Sequence, residues 1–240
     1  MSGHSHSANI KHDKDKNDAK KGAAWSKIGN LITLAVKSSG GITDPAKNFK
    51  LRIALDKARE VNMPKDNVNR AIDRATGAGG QGELETVNYE GYGPGGVAVI
   101  VECITDNKNR TGAEIKNIFA QAGRNLAEPG AAAHFFQRSG FLQVSKAADQ
   151  EQQILKIIDL GAEDVEEGDN QLTVLVPVDK LAEFKDKLVG EQFQILNAEI
   201  VMKPLNKITL PAGDKAKLLK FDEQLKAHED VQKVFLNADL

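Results

Sequence analysis

Arg52 and Arg59 stand seven residues apart, as do Lys50 and Lys57, so on a helix each pair shares one flank. Arg70 and Arg74 are one helical turn apart, and Lys11, Lys14, Lys16, Lys20, Lys21 and Lys27 precede all of them in the chain. Cations at this spacing could line a surface that contacts phosphates. The plainer account of any single one is a solvated helix face, since Lys and Arg flank most amphipathic helices. The segment as a whole favours binding. Residues 1–80 hold 15 Lys/Arg against 8 Asp/Glu, a net +7, while residues 81–240 hold 17 against 26, a net −9. The overall charge of −2 conceals that split. No segment spells out a base-reading helix, so the pattern predicts phosphate contact without sequence specificity.

Two further groups of residues could meet a partner. Tyr89 and Tyr92, the two tyrosines of the chain, flank the turn Gly91-Tyr92-Gly93-Pro94-Gly95-Gly96. Hairpin geometry explains its glycines and proline, and the rings serve either a partner or the structure. The turn lacks a Gly-Lys-Ser/Thr ending and leads into a strand, which argues against nucleotide binding. Thr105 to Thr111 is a polar loop entering a helix, a place where free N–H groups favour an anion. Capping accounts for Thr111 and Asn109; Lys108 and Arg110 exceed it and, with Asn107 and Asn109, are candidate phosphate contacts.

Catalytic chemistry has little support. No nucleophile elbow is present, and the single Cys103 lies in an apolar run, where it reads as inert packing and excludes an intramolecular disulfide. His4, His6 and His12 lie in a polar tail without supporting groups, His134 reads as a strand residue, and the acidic residues of 163–169 lack calcium-loop spacing. No catalytic residue, metal site, cofactor or small-molecule substrate is expected. No apolar run is long enough to span a membrane, and Met1 to Lys21 has no signal-peptide core, so a cytoplasmic protein without membrane partners is expected.

These residues must be positioned by a chain whose rhythm changes once. Residues 1–16 carry no apolar periodicity and are expected to be disordered when free. Helical spacing begins near Asp18, with Trp25, Ile28, Ile32 and Ala35 on one face, and Trp25 reads as core before it reads as a base-stacking platform. Asp44-Pro45 should open a second helix and Pro64 a third, with Gly77 to Gly82 as a flexible exit. Strands are predicted at 87–91 and 97–104, then a helix opened by the capping box Thr111-Gly112-Ala113-Glu114, then a third strand at 133–137. Residues 140–203 follow a β-α-β-β-α-β order suited to a ferredoxin-like sandwich. The last segment reads as strand 207–210, helix 214–228 and strand 231–236.

The prediction is therefore an α+β chain of three domains. A basic helical domain occupies 1–80. A middle α/β domain combines 81–138 with 206–240, and a ferredoxin-like domain, 139–205, is inserted into it.

The sequence also resembles the YebC/PmpR family, which includes the mitochondrial translational activator of cytochrome c oxidase subunit I. The resemblance rests on Gly3-His4-Ser5 with Ala8-Asn9-Ile10-Lys11-His12, on Asn62-Met63-Pro64-Lys65-Asp66-Asn67, and on Tyr89-Glu90-Gly91-Tyr92-Gly93-Pro94-Gly95-Gly96-Val97-Ala98-Val99-Ile100-Val101-Glu102-Cys103 running on to Asn109-Arg110-Thr111. It implies a three-domain cytoplasmic protein, a helical domain followed by two α/β domains of ferredoxin-like type, without a catalytic centre. His12 and Lys65, which lie within these motifs, are also among the expected nucleic-acid contacts. Members are described as DNA-binding transcriptional regulators and as ribosome-associated factors that help translation through proline runs. This chain departs from the family where His6-Ser7 replaces Lys-Trp and where Asp13 and Asp15 enter a usually basic tail. Residues 1–30 are only +3, which shifts the expected contact towards the second and third helices. The expected function is a non-enzymatic, DNA-binding transcriptional regulator. The alternatives are a translation factor binding ribosomal RNA and a protein-binding adaptor.

Overall fold

The computed structural model describes residues 5–77 and 84–239, with side chains from residue 21 onward. Gly77 is described and has a left-handed backbone, whereas the rest of the expected exit, 78–82, lies outside the described residues. The chain divides into two compact units, Met1–Ala132 with Ile208–Leu240, and Ala133–Lys207.

The first unit begins with three helices, α1 (Ser5–Ser38), α2 (Phe49–Glu60) and α3 (Lys65–Ala75). Ile32, Val36 and Leu51 are fully buried, beside Ile28 and four alanines, Ala35, Ala54, Ala58 and Ala71. Small side chains let the helices approach closely. α1 starts well before the expected Asp18. No proline or glycine interrupts Ser5 to Lys21, and a helix nucleated by its apolar half extends at little cost. α2 starts later than Asp44-Pro45, because Asp44 instead accepts from the Ala46 N–H in a turn and Asn48 supplies the cap. The Asn48 amide accepts from Leu51 N–H and donates to Ala35 O, Ile42 O and Ser39 Oγ, so one buried side chain caps α2 and closes α1.

The same unit continues as the sheet β1-β2-β7, from Glu85–Tyr92, Ala98–Thr105 and Val231–Leu236, antiparallel throughout. Val97, Val99, Val101 and Cys103 pack against α4 (Lys108–Gln121) and α7 (Ala212–Ala227), whose Phe119 and Phe221 rings meet edge to face at 4.9 Å. The expected capping box does not form. Asn107 caps α4, and Thr111 lies one turn inside it with its hydroxyl buried. The expected strand 207–210 is a single parallel bridge, Ile208 to Ala238.

The second unit is β3 (Phe136–Ser145), α5 (Gln150–Asp159), β4 (Asp164–Glu167), β5 (Gln171–Val176), α6 (Leu181–Gly190) and β6 (Ile195–Pro204). Its antiparallel sheet has the order β4-β5-β3-β6. The strand expected at 133–137 and the first strand of the 140–203 unit are one strand, β3, preceded by a short turn, Ala133–Phe135. A Cβ on Gly140 would sit 2.8 Å from Val176 Cγ2 and 3.0 Å from Leu181 Cβ, so the glycine marks helix-to-sheet contact inside a strand. His134 is exposed in the turn and lies over Phe135, with centroids 4.0 Å apart, rather than in a strand.

Candidate nucleic-acid interface

The basic residues of the helical bundle fall into two groups. Lys21, Lys50, Arg52, Arg59, Lys65 and Arg70 are exposed, and Lys57 is half-buried. Arg52 and Arg59 share a flank of α2 as their spacing requires. Arg52 lies 5.4 Å over the Phe49 ring, and Arg59 pairs with Asp56 at 2.6 Å where both side chains are mostly in solvent. Such a pair costs little to rearrange around a phosphate. Lys50 Nζ reaches Ser38 Oγ at 3.5 Å, and Lys65 opens α3. Lys11, His12, Lys14 and Lys20 lie on the first half of α1, and their side chains are outside the described residues.

Two of the candidate cations, Lys27 and Arg74, hold the structure together. Lys27 Nζ donates to Lys226 O at 2.6 Å, at the last turn of α7, where carbonyls have no helical partner. Burial lowers its pKa below the usual lysine value. The Arg74 guanidinium donates to Asn30 Oδ1 at 2.8 Å and to Thr33 Oγ1 at 3.0 and 3.1 Å, clamping α3 to α1, and burial lowers its pKa too.

Between α1 and α3 the surface opens into a cleft of about 700 Å³. Gly22, Trp25, Ser26 and Gly29 line it from α1, Asn67, Arg70, Ala71, Asp73 and Arg74 from α3, and Met63 from the turn before α3. Two of its α1 positions, Gly22 and Gly29, carry no side chain. Trp25 is half-buried rather than enclosed, and its Nε1–H donates to Val61 O at 3.2 Å, which fixes the ring. Arg70 is held by Asn67 Oδ1 and by Asp66 O.

The loop entering α4 is electrostatically closed. Lys108 meets Glu85 at 3.4 Å, and Arg110 meets Asp106 at 3.2 Å and Asp230 at 3.1 Å. Asp230 is almost fully buried and also accepts the Thr111 hydroxyl at 2.6 Å, while Thr111 lies 2.8 Å from the Thr105 hydroxyl. The chain thus supplies its own carboxylate beside the first turn of this helix. Asn107 is spent on the cap, and Asn109 remains exposed. The hydrogen bond to Asp230 raises the Arg110 pKa further above its ordinary value.

The hub around Asp230 carried no sequence signal, since its partners come from 105–114 and 228–230. Glu114, His228 and Asp230 bring one ligand atom each within 4.8 Å of one another. They are already joined by hydrogen bonds. His228 Nδ1 accepts from Asp230 N–H at 3.1 Å, which leaves Nε2 to donate to Glu114 at 2.9 Å. The tyrosines are anchored too. Tyr89 donates to Lys108 O at 2.8 Å and Tyr92 to Ala131 O at 2.7 Å, and both rings are half-buried. Burial, followed by the charges of Asp230 and Glu102, pushes the Cys103 thiol up to about 12. Among the described residues, no helix is long and apolar enough to cross a membrane.

Comparison with known proteins covers nearly the whole chain. Residues 5–78 match the family model described as the TACO1/YebC protein N-terminal domain, and residues 84–238 the one described as the TACO1/YebC second and third domain. A probable transcriptional regulatory protein of Brachyspira hyodysenteriae is 44% identical, covering 100% of this chain and 97% of that protein. One from Dictyoglomus turgidum is also 44% identical, covering 100% and 96%. The crystal structure of the conserved hypothetical protein Aq1575 from Aquifex aeolicus superposes with a TM-score of 0.82 at 35% identity, over 92% of this chain and 91% of that one.

Proposed function

The chain belongs to the TACO1/YebC family, and from that premise we propose that it is a non-enzymatic, cytoplasmic, nucleic-acid-binding regulator of gene expression. The observation that carries this reading is the division among the bundle's cations. Lys27 and Arg74 are spent on internal contacts, whereas Lys50, Arg52, Arg59, Lys65 and Arg70 face solvent on α2 and α3. Cations that the fold does not need for itself are available to phosphates. The names of the full-length relatives support transcription as the process and DNA as the partner. The division of labour would follow three domains, with a basic helical domain at 1–80. The middle α/β domain would be 81–138 with 206–240, and the ferredoxin-like domain, 139–205, would be inserted in it, consistent with the sheet order β4-β5-β3-β6.

The test is binding of the full chain to duplex DNA and to ribosomal RNA across a salt series. Affinity should fall steeply and linearly on logarithmic axes. Absence of binding to both at low salt would refute the reading and favour a protein-binding adaptor. Cosedimentation with ribosomes would place the protein in translation rather than transcription.

A further inference from the structure

The basic face supplies phosphate contacts, but the cleft beside it has a shape that phosphates alone do not explain. Resting on the nucleic-acid reading above, we propose that this cleft receives one unstacked base of a single-stranded nucleic acid, laid against Trp25, with the adjoining phosphate on Arg70.

Room is the first consideration. A Cβ on Gly22 would meet nothing within 4 Å, so the mouth of the cleft is open. A Cβ on Gly29 would stop 3.9 Å from both Ala71 Cβ and Met63 Cε, so the floor is apolar and close beneath. A base presents flat, stackable faces to such a floor and an aromatic wall.

The wall is fixed in advance. Trp25 spends its one polar atom on Val61 O, which locks the indole while leaving it half-exposed to the cleft. Stacking on a ring that is already immobile avoids the entropy cost of ordering it. Charge then sets the orientation. Of the three charged residues that line the cleft, Arg74 is turned to Asn30 and Thr33 and Asp73 repels a phosphate beside it, whereas Arg70 is exposed, held by Asn67, and has guanidinium N–H groups to spare. The backbone therefore stays at the rim and the base enters. A base within a duplex is stacked on both faces and cannot enter without being extruded, so the cleft selects single strands.

Trp25 is the only tryptophan in the chain, so its fluorescence reports the cleft alone. The full chain is titrated at low salt with short single-stranded RNA and DNA oligonucleotides of one sequence, and with the same sequence as a duplex. Single strands of either sugar should quench Trp25, and the duplex should bind without quenching. Gly22→Leu fills the mouth, leaves every charge in place and favours the helix. It should abolish quenching and weaken single-strand binding about tenfold, within the range for one base stacked on an aromatic ring, while duplex binding is unchanged. Arg70→Gln should weaken binding of both forms. Saturating single strand without quenching, or a Gly22→Leu chain that binds single strands as tightly as the parent, overturns the proposal. Failure of single strands and duplex alike to bind refutes the phosphate reading beneath it.

Discussion

Two pairs of substitutions remove the same charge from the bundle and should have opposite consequences. Arg52→Gln with Arg59→Gln, and Lys27→Gln with Arg74→Gln, each take residues 1–80 from +7 to +5. Arg52 and Arg59 have only a ring contact at 5.4 Å and an exposed ion pair at 2.6 Å to lose. Their removal should cost under about 1 kcal/mol of stability. If both touch phosphates, the slope of log affinity against log salt should fall by about 1.8 on duplex DNA. Over a fourfold rise in salt that makes the loss of affinity about twelvefold smaller. Lys27 and Arg74 make charge-assisted hydrogen bonds to Lys226 O, Asn30 and Thr33, so their loss should cost about 3 kcal/mol and leave the slope unchanged. Urea unfolding and salt-dependent fluorescence anisotropy measure the two quantities independently. Equal slopes for the first pair and the parent chain, or an equal drop in slope for both pairs, would refute the division of cations on which the functional reading stands.

Other consequences concern the middle of the chain. Thr111→Val keeps the volume but strips a donor at 2.6 Å from the buried Asp230 carboxylate, and should destabilise by about 2 kcal/mol, with Thr111→Ser retaining most of it; urea midpoints of the two variants decide. Because the folded Cys103 pKa of about 12 lies above its unfolded value of 9.0, its contribution is complete below pH 9 and is lost as pH rises towards 12. That loss amounts to about 1.4 kcal/mol per pH unit. The urea midpoint should therefore decline less between pH 9 and 10.5 in Cys103→Ala than in the parent, and equal declines would show that the thiol is not protected. Gly140→Ala should cost about 1–3 kcal/mol by overpacking against Val176 and Leu181, read as faster proteolysis within 133–207.

Elements were legible where one physical signal dominated. The apolar run at 97–104 and the β-α-β-β-α-β rhythm of 140–203 needed only periodicity, and both are present as β2 and as β3 to β6. Boundaries failed where one residue type serves two purposes. Asp44-Pro45 resembles a helix start although the better-connected Asn48 takes the cap, and Gly140 lies inside a strand where its missing side chain permits close packing. Thr111 and Glu114 have the spacing of a capping box, yet both are drawn into the hub around Asp230 and His228, more than 110 residues away. Contacts at that separation leave no local trace. The cleft was invisible for a related reason, since its walls come from α1 and α3 and the helical face of Trp25 indicates only that it points inward.

Part of the bundle's net charge is engaged inside the fold, for a reason rooted in the bundle's core. Four of the eight buried apolar residues of its core are alanines, and so thin a core gains modestly from apolar burial. Directional polar contacts fix the angles between its helices instead. Asn48 joins α1 to α2, the Trp25 indole ties α1 to the end of α2, and Arg74 bolts α3 to α1. A long cationic side chain suits that work because it covers apolar surface with its stem while its head reaches several acceptors. A small basic module must therefore divide its cations between holding itself together and holding a partner. Only burial and hydrogen bonding separate the two uses, and among the described residues the exposed cations of α2 and α3, with Lys21 of α1, are not engaged in those helix-joining contacts.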